Sequence, residues 1–142
     1  VARAISERPL DGRLEQHLGA LYPPEGDDFN VIEAACREAI TAGWMCAEGG
    51  PGRRFGRVIE PGPDTNGLSV DVVDLKDIVG PHHRHPTGEV CMIMPLTATA
   101  KFDGAGRGWK VYEPGSAHNP TVTDGEAVVL YLLPDGRIEF TD

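Results

Sequence analysis

Three histidines and a glutamate crowd the stretch from Gly80 to Pro95, GPHHRHPTGEVCMIMP, and metal ligation is the chemistry that such a cluster suits. In an extended segment side chains alternate between two sides, so His83 and His85 point one way while His82 and Arg84 point the other. Glu89 rejoins the first side after the turn that Pro86, Thr87 and Gly88 call for. A fourth group is expected from a distant strand. His118, in EPGSAHNPTV, follows a Pro114-Gly115 turn that sets its direction. Three neutral imidazoles and one carboxylate suit a single divalent transition ion, Fe(II), Mn(II), Ni(II), Co(II) or Zn(II), at bond lengths of about 2.0 to 2.2 Å. Affinity order alone does not choose among them. Loop histidines are often merely solvated, but here four ligand-type residues fall in two separated motifs. His82 reads as a surface or supporting residue, and His17 has no partner in either motif.

The elements that must position these groups divide the chain in two. From Gly49-Gly50-Pro51-Gly52 onward, short β-rich runs are punctuated by Gly, Pro, Asp and Asn. Strands are expected over Arg54 to Glu60, Leu68 to Leu75, Glu89 to Met94, Thr97 to Phe102, Trp109 to Tyr112, Ala127 to Leu133 and Arg137 to Phe140. Many short strands with turn signals predict a sandwich or barrel rather than a parallel α/β sheet. The first third reads as helical, with a weak segment over Leu10 to Leu21 that Pro23-Pro24 cannot continue. A clearer helix follows, capped by Asp27 or Asp28 and ended by Gly43, with Phe29, Ile32, Cys36, Ala39 and Ile40 at helical spacing. That stripe predicts a helix packed over one face or mouth of the β-structure.

Composition narrows the partners. A chain of 142 residues supports one sizeable core, hence one active centre. The formal charge of -9, from 22 acidic and 13 basic residues with no basic cluster, argues against nucleic acid and anionic membrane. The opening residues, with Arg3, Glu7 and Arg8, form neither a signal peptide nor a span, so a cytoplasmic protein is expected. Cys36, Cys46 and Cys91 are odd in number and scattered, as in a reduced protein where thiols pack; Cys91 also lies close enough to the ligand motif to line a pocket.

The two motifs resemble the paired boxes of the cupin superfamily, in which His-X-His is followed after three or four residues by Glu, and a second box carries a late His. Here these are His83-Arg84-His85, then Glu89, and Gly108, Pro114-Gly115, then His118. Asp77 and Leu96 stand where the first box has glycines, and Val122 where the second has Asn, which bears on the turns more than on the ligands. The resemblance implies one cupin domain over 1–142, a double-stranded β-helix (jelly-roll) barrel over 53–142 with the helical segment 1–48 packed on it, and commonly a homodimer.

Over nearly the whole chain, through GRLEQHLGALYPP, GRVIEPGPDTNGLSVDVVDL, GPHHRHPTGE, FDGAGRGWKVYEPGSAHNPTV and VLYLLPDGRIEF, the sequence is similar to the 4-hydroxylaminobenzoate lyases. That resemblance implies a metal-dependent lyase forming 3,4-dihydroxybenzoate and ammonia from a small aromatic substrate. His83, His85, Glu89 and His118 would hold the metal, with His83, His85 and Glu89 at the reacting centre. Glu89 is either a ligand or the group that moves a proton. A substrate carboxylate suits a guanidinium, and among Arg54, Arg57 and Arg84 the strand residue Arg57 is favoured. Trp109 and Tyr112 would stack on the ring or serve as core. Two rivals share the ligand set: an Fe(II) dioxygenase, and a small-molecule binder without catalysis.

Overall fold

The structure, a computed structural model, describes residues 1–6 and 8–141. A short helix α1 (Ala2–Ile5), not anticipated from the sequence, precedes α2 (Gly12–Leu21) and α3 (Asp27–Ala42). Asp11 caps α2, its carboxylate accepting from the backbone N–H groups of Arg13 and Leu14, both at 3.0 Å. The cap expected of Asp27 or Asp28 is absent. Gly26 stands at the N-cap of α3 without a side-chain bond, and both aspartates lie in the first turn, where their charge meets the positive end of the helix dipole. Gly43 ends α3 at φ 89°, a left-handed conformation that glycine adopts without strain. No helix among the described residues is long and apolar enough to cross a membrane.

Ten strands follow: β1 (Glu48–Gly50), β2 (Arg53–Ile59), β3 (Leu68–Val79), β4 (His83–His85), β5 (Glu89–Pro95), β6 (Lys101–Phe102), β7 (Gly108–Tyr112), β8 (Ser116–His118), β9 (Thr121–Pro134) and β10 (Glu139–Phe140). All their pairings are antiparallel. The large sheet runs β1-β2-β3-β9-β5-β7 with β6 added to β9, and the small sheet runs β10-β4-β8. The strand expected over Thr97 to Phe102 shrinks to two residues, because Leu96 and Thr97 N–H both donate to the Glu126 carbonyl and turn the chain. This is the mainly β barrel with N-terminal helices that the resemblance implies.

The period of two in each strand sorts side chains into two cores. On one side of the large sheet Val72, Val90, Met92, Met94, Val128 and Leu132 pack with Leu14, Leu18 and Phe29 of the helices. On the other Leu75, Cys91, Ile93, Val129, Tyr131 and Leu133 fill the barrel interior, over which the small sheet closes. Leu18 and Phe29 are fully buried, which stabilises the fold by about 1.5–3 kcal/mol each. Because apolar residues are needed on both sides, β5 reads EVCMIMP with no alternation at all. Cys36, Cys46 and Cys91 are buried free thiols.

Asp74 is a local misfit in this packing. Its Oδ1 is buried without a partner, and its pKa is pushed up to about 7, first by burial and then by Glu126, against the pull of Arg54. The folded protein holds this proton more tightly than the unfolded chain does. The group's contribution is therefore fully present below the ordinary value of 3.8 and lost as pH rises through about 7. Asp74→Asn is expected to raise the melting temperature more at pH 8 than at pH 5, which thermal melts at the two pH values check.

Candidate metal centre

Strands β4 and β8 bring the two histidine motifs together as direct neighbours, His83 facing His118 and His85 facing Ser116. The carbonyl of His85 fastens both turns, accepting from Gly88 N–H at 3.2 Å and Gly115 N–H at 2.8 Å. Gly88 is required there: it has φ 84°, and a Cβ would meet the Tyr112 carbonyl at 2.8 Å. The turn it makes delivers Glu89 into the interior.

His118 Nε2 lies 3.0 Å from His83 Nε2 and 3.0 Å from His85 Nε2, and the donor atoms of all three rings lie within 4.8 Å of one another. Glu89 is not in that triplet; its Oε2 approaches His85 Nε2 at 3.3 Å. Asp103 fixes the direction of His118. The ring donates from Nδ1 to Asp103 Oδ2 at 2.6 Å, which turns the Nε2 lone pair toward the other two rings. Tyr112 donates its hydroxyl to the same Oδ2, and Thr121 N–H donates to Oδ1 at 2.9 Å.

Electrostatics keep the set in ligand form. Burial, reinforced by His118, lowers the pKa of His83 to about 4. Burial, with His83 and His118 nearby, lowers that of His85 to about 3. Both are therefore neutral at neutral pH, as a metal ligand must be. Asp103 is pushed upward by burial, but the donors His118, Tyr112 and Thr121 outweigh this and hold it below the usual carboxylate range. Glu89 is fully buried, which lifts its pKa to about 8 despite the Cys91 thiol donating to Oε1 at 2.9 Å.

The residues fit a bound cation. Separations of 3.0 Å match the edge of a coordination octahedron whose bonds are about 2.1 Å. With its Nδ1 proton donated to Asp103, His118 Nε2 has one lone pair, which cannot answer both neighbouring Nε2 atoms at 3.0 Å, and Glu89 Oε2 is a buried oxygen with no hydrogen-bond partner. Asp103→Asn removes the orienting carboxylate and is expected to weaken metal affinity by about 10- to 100-fold, measured by metal titration.

A cavity of about 250 Å³ adjoins the cluster, with His83, Arg53, Phe55, Arg57, Tyr131 and Phe140 among its walls. Of the residues expected to meet substrate, Arg57 reaches the wall but is committed: its Nε donates to Asp71 Oδ1 at 2.8 Å, Nη1 to Glu60 at 3.1 Å and Nη2 to the Gly136 carbonyl at 2.9 Å. Arg84 pairs with Glu139 at 3.0 Å on the surface. Arg54 is exposed and lies close enough to Asp74 to act on its charge. Trp109 packs under the helices, edge-on to Phe29 at 5.9 Å, and its Nε1 donates to the Tyr22 carbonyl at 2.9 Å. Tyr112 does face the site, its ring 4.3 Å from that of His118. His82 is bonded to Thr141 outside the cluster. Sequence reasoning missed Asp103 and Arg53. Asp103 sits in the turn FDGAG, which carries no mark of a ligand's partner, whereas Arg53 shares its strand side with Arg57 and was legible from alternation.

Comparison with known proteins bears on the whole chain. The family model for PnbB, 4-hydroxylaminobenzoate lyase, matches residues 1–140. A 4-hydroxylaminobenzoate lyase of Nocardioides sp. (strain LMS-CY) is 31% identical over 145 residues, covering 96% of this chain and 86% of that protein. Another, from Pseudomonas putida, is 28% identical over 153 residues, covering 96% and 87%. Among solved structures, an RmlC-like cupin protein from Ralstonia eutropha JMP134 aligns with a TM-score of 0.49 and 13% identity, over 69% of this chain and 66% of that one. With a match that runs through both histidine motifs and the helices before them, this chain belongs to the 4-hydroxylaminobenzoate lyase family.

Proposed function

We propose that this protein is a metal-dependent lyase converting 4-hydroxylaminobenzoate, or a similar hydroxylaminoarene, to 3,4-dihydroxybenzoate and ammonia. The observation that carries this reading is the convergence of His83, His85 and His118 beside a cavity, in a chain that matches the lyase family end to end. One water enters and one ammonia leaves, and the N–O bond supplies the oxidising power for ring hydroxylation, so neither oxygen nor a nicotinamide is consumed.

In this reading the three imidazoles hold one divalent ion, with Fe, Mn, Ni, Co and Zn all compatible with the donor set. Bound there, the ion supplies Lewis acidity toward the hydroxylamino oxygen. Glu89 moves the proton: its Oε2 has no hydrogen-bond donor of its own, while Cys91 holds Oε1 and fixes the carboxyl plane. Protonated at neutral pH because of its burial, it gives its proton to the leaving nitrogen and recovers one from the incoming water. Tyr112 acts through Asp103, keeping that carboxylate in place to orient His118. The apolar side chains of Phe55, Leu133 and Phe140 exclude bulk water from the ring. A cytoplasmic homodimer belongs to the same proposal, supported by three reduced, buried thiols and by the edge strands β1 and β7 that the large sheet leaves open.

Anaerobic incubation of the metal-loaded protein with 4-hydroxylaminobenzoate tests this. Ammonia and 3,4-dihydroxybenzoate are expected in equal amounts without oxygen. A requirement for oxygen would replace the lyase with a dioxygenase, and no ammonia with metal confirmed present would overturn the proposal for this substrate.

A further inference from the structure

The ladder between β2 and β3 sets two inward-facing arginines in opposite circumstances. Arg57 stands across from Asp71 and is neutralised by it, with Glu60 and the Gly136 carbonyl taking its remaining donors. Arg53, four residues earlier on the same side, stands across from Leu75. Among the described residues it makes no ion pair and no side-chain hydrogen bond, whereas Arg37, Arg57, Arg84 and Arg107 all find carboxylates. Its guanidinium carbon lies 4.5 Å from the centre of the Phe55 ring, a contact that takes up none of its N–H donors. The acidic groups on the cavity wall do not answer it. Asp71 is taken by Arg57 and by the Ser69 hydroxyl at 3.0 Å, and Glu48 is exposed on β1 opposite Phe55.

Arg53 and His83 line the same cavity. An anion held by Arg53 would leave the rest of a ring substrate among Phe55, Tyr131 and Phe140, facing the imidazole cluster. We propose that Arg53 binds the carboxylate of the substrate and makes this site selective for para-substituted benzoates over neutral arenes of the same size. The identity of the reacting substrate rests on the lyase reading above; the recognition of the anion does not.

Two ligands of one shape separate the possibilities: 4-aminobenzoate and its neutral counterpart 4-aminobenzamide, titrated calorimetrically into the metal-loaded protein. The unaltered protein is expected to prefer the carboxylate, and Arg53→Gln to lose about 30-fold or more of its affinity for it, the worth of a charge-assisted bidentate contact, while affinity for the amide changes less than about threefold. Arg53→Met, which keeps an aliphatic stem against Leu75 and Phe55, replaces the glutamine variant should that one fail to fold. In turnover, kcat/KM for 4-hydroxylaminobenzoate should fall by the same factor and that for phenylhydroxylamine should hold. Equal losses for both ligands, a preference that survives the substitution, or no preference in the unaltered protein would each overturn the assignment. Arg53-dependent binding of 4-aminobenzoate without any ammonia release would instead uphold it and remove the lyase reading.

Discussion

His118→Ala is expected to abolish metal binding and lyase activity together, while the ion-free protein keeps its fold. His118 is the ring that lies 3.0 Å from both of the others, so its loss leaves two imidazoles without the third that completes the set. The cost exceeds the about 10- to 100-fold that loss of a supporting residue carries. The fold survives because β8 keeps its backbone pairing with β4, and Asp103 keeps Tyr112 and the Thr121 N–H as donors. Thermal melts read the effect without any assay of turnover. Metal at 100 times its dissociation constant should stabilise the unaltered protein by about 2.7 kcal/mol, and should leave the variant's melting temperature where it was. A normal metal response in His118→Ala would place the ion elsewhere.

Glu89→Gln has the second large effect, and it separates proton transfer from ligation. Glutamine has the same shape and no exchangeable acid, and a neutral amide is easier to bury than a carboxylate. Because burial lifts the pKa of Glu89 to about 8, the amide replaces a carboxyl that is mostly neutral at pH 7. The variant's stability is expected to match that of the unaltered protein below the ordinary value of 4.5 and to exceed it increasingly as pH rises toward about 8. Turnover is expected to fall by about 10²- to 10⁴-fold, the range for loss of a positioned acid–base group. Metal content should hold, because the three imidazoles form the close triplet without Glu89. Metal analysis and kinetics on one sample check both halves. A loss of metal as large as that of His118→Ala would make Glu89 a ligand.

Residue types and spacing revealed the centre because its geometry is mostly local. The His83-Arg84-His85 alternation aims two rings one way whatever the rest of the chain does, and the Pro-Thr-Gly turn carries Glu89 back to them. The helix stripe was legible for the same reason, as Phe29, Cys36 and Ala39 are the buried residues of α3. What escaped depends on register between distant strands. That Asp71 would neutralise Arg57 while Leu75 faced Arg53 follows from the β2–β3 ladder, which no single segment encodes. Asp103 reaches His118 only because β6 pairs with β9 and brings the turn after it under the ring. The pairing of the three-residue strands β4 and β8, which sets His83 opposite His118, is likewise written in neither segment alone. Trp109 and Tyr112 differ in a simpler way: three positions apart on β7, they must face opposite sides of the sheet, and only Tyr112 reaches the histidines.

The central claim is a place: one cation shared by imidazoles from two motifs inside the barrel. A crystal of the metal-loaded protein, with diffraction measured on both sides of the metal's absorption edge, locates that cation directly. A single anomalous peak is predicted at about 2.0 to 2.2 Å from Nε2 of His83, His85 and His118. A peak bound by other residues, or none at all in protein shown by elemental analysis to contain metal, would contradict it.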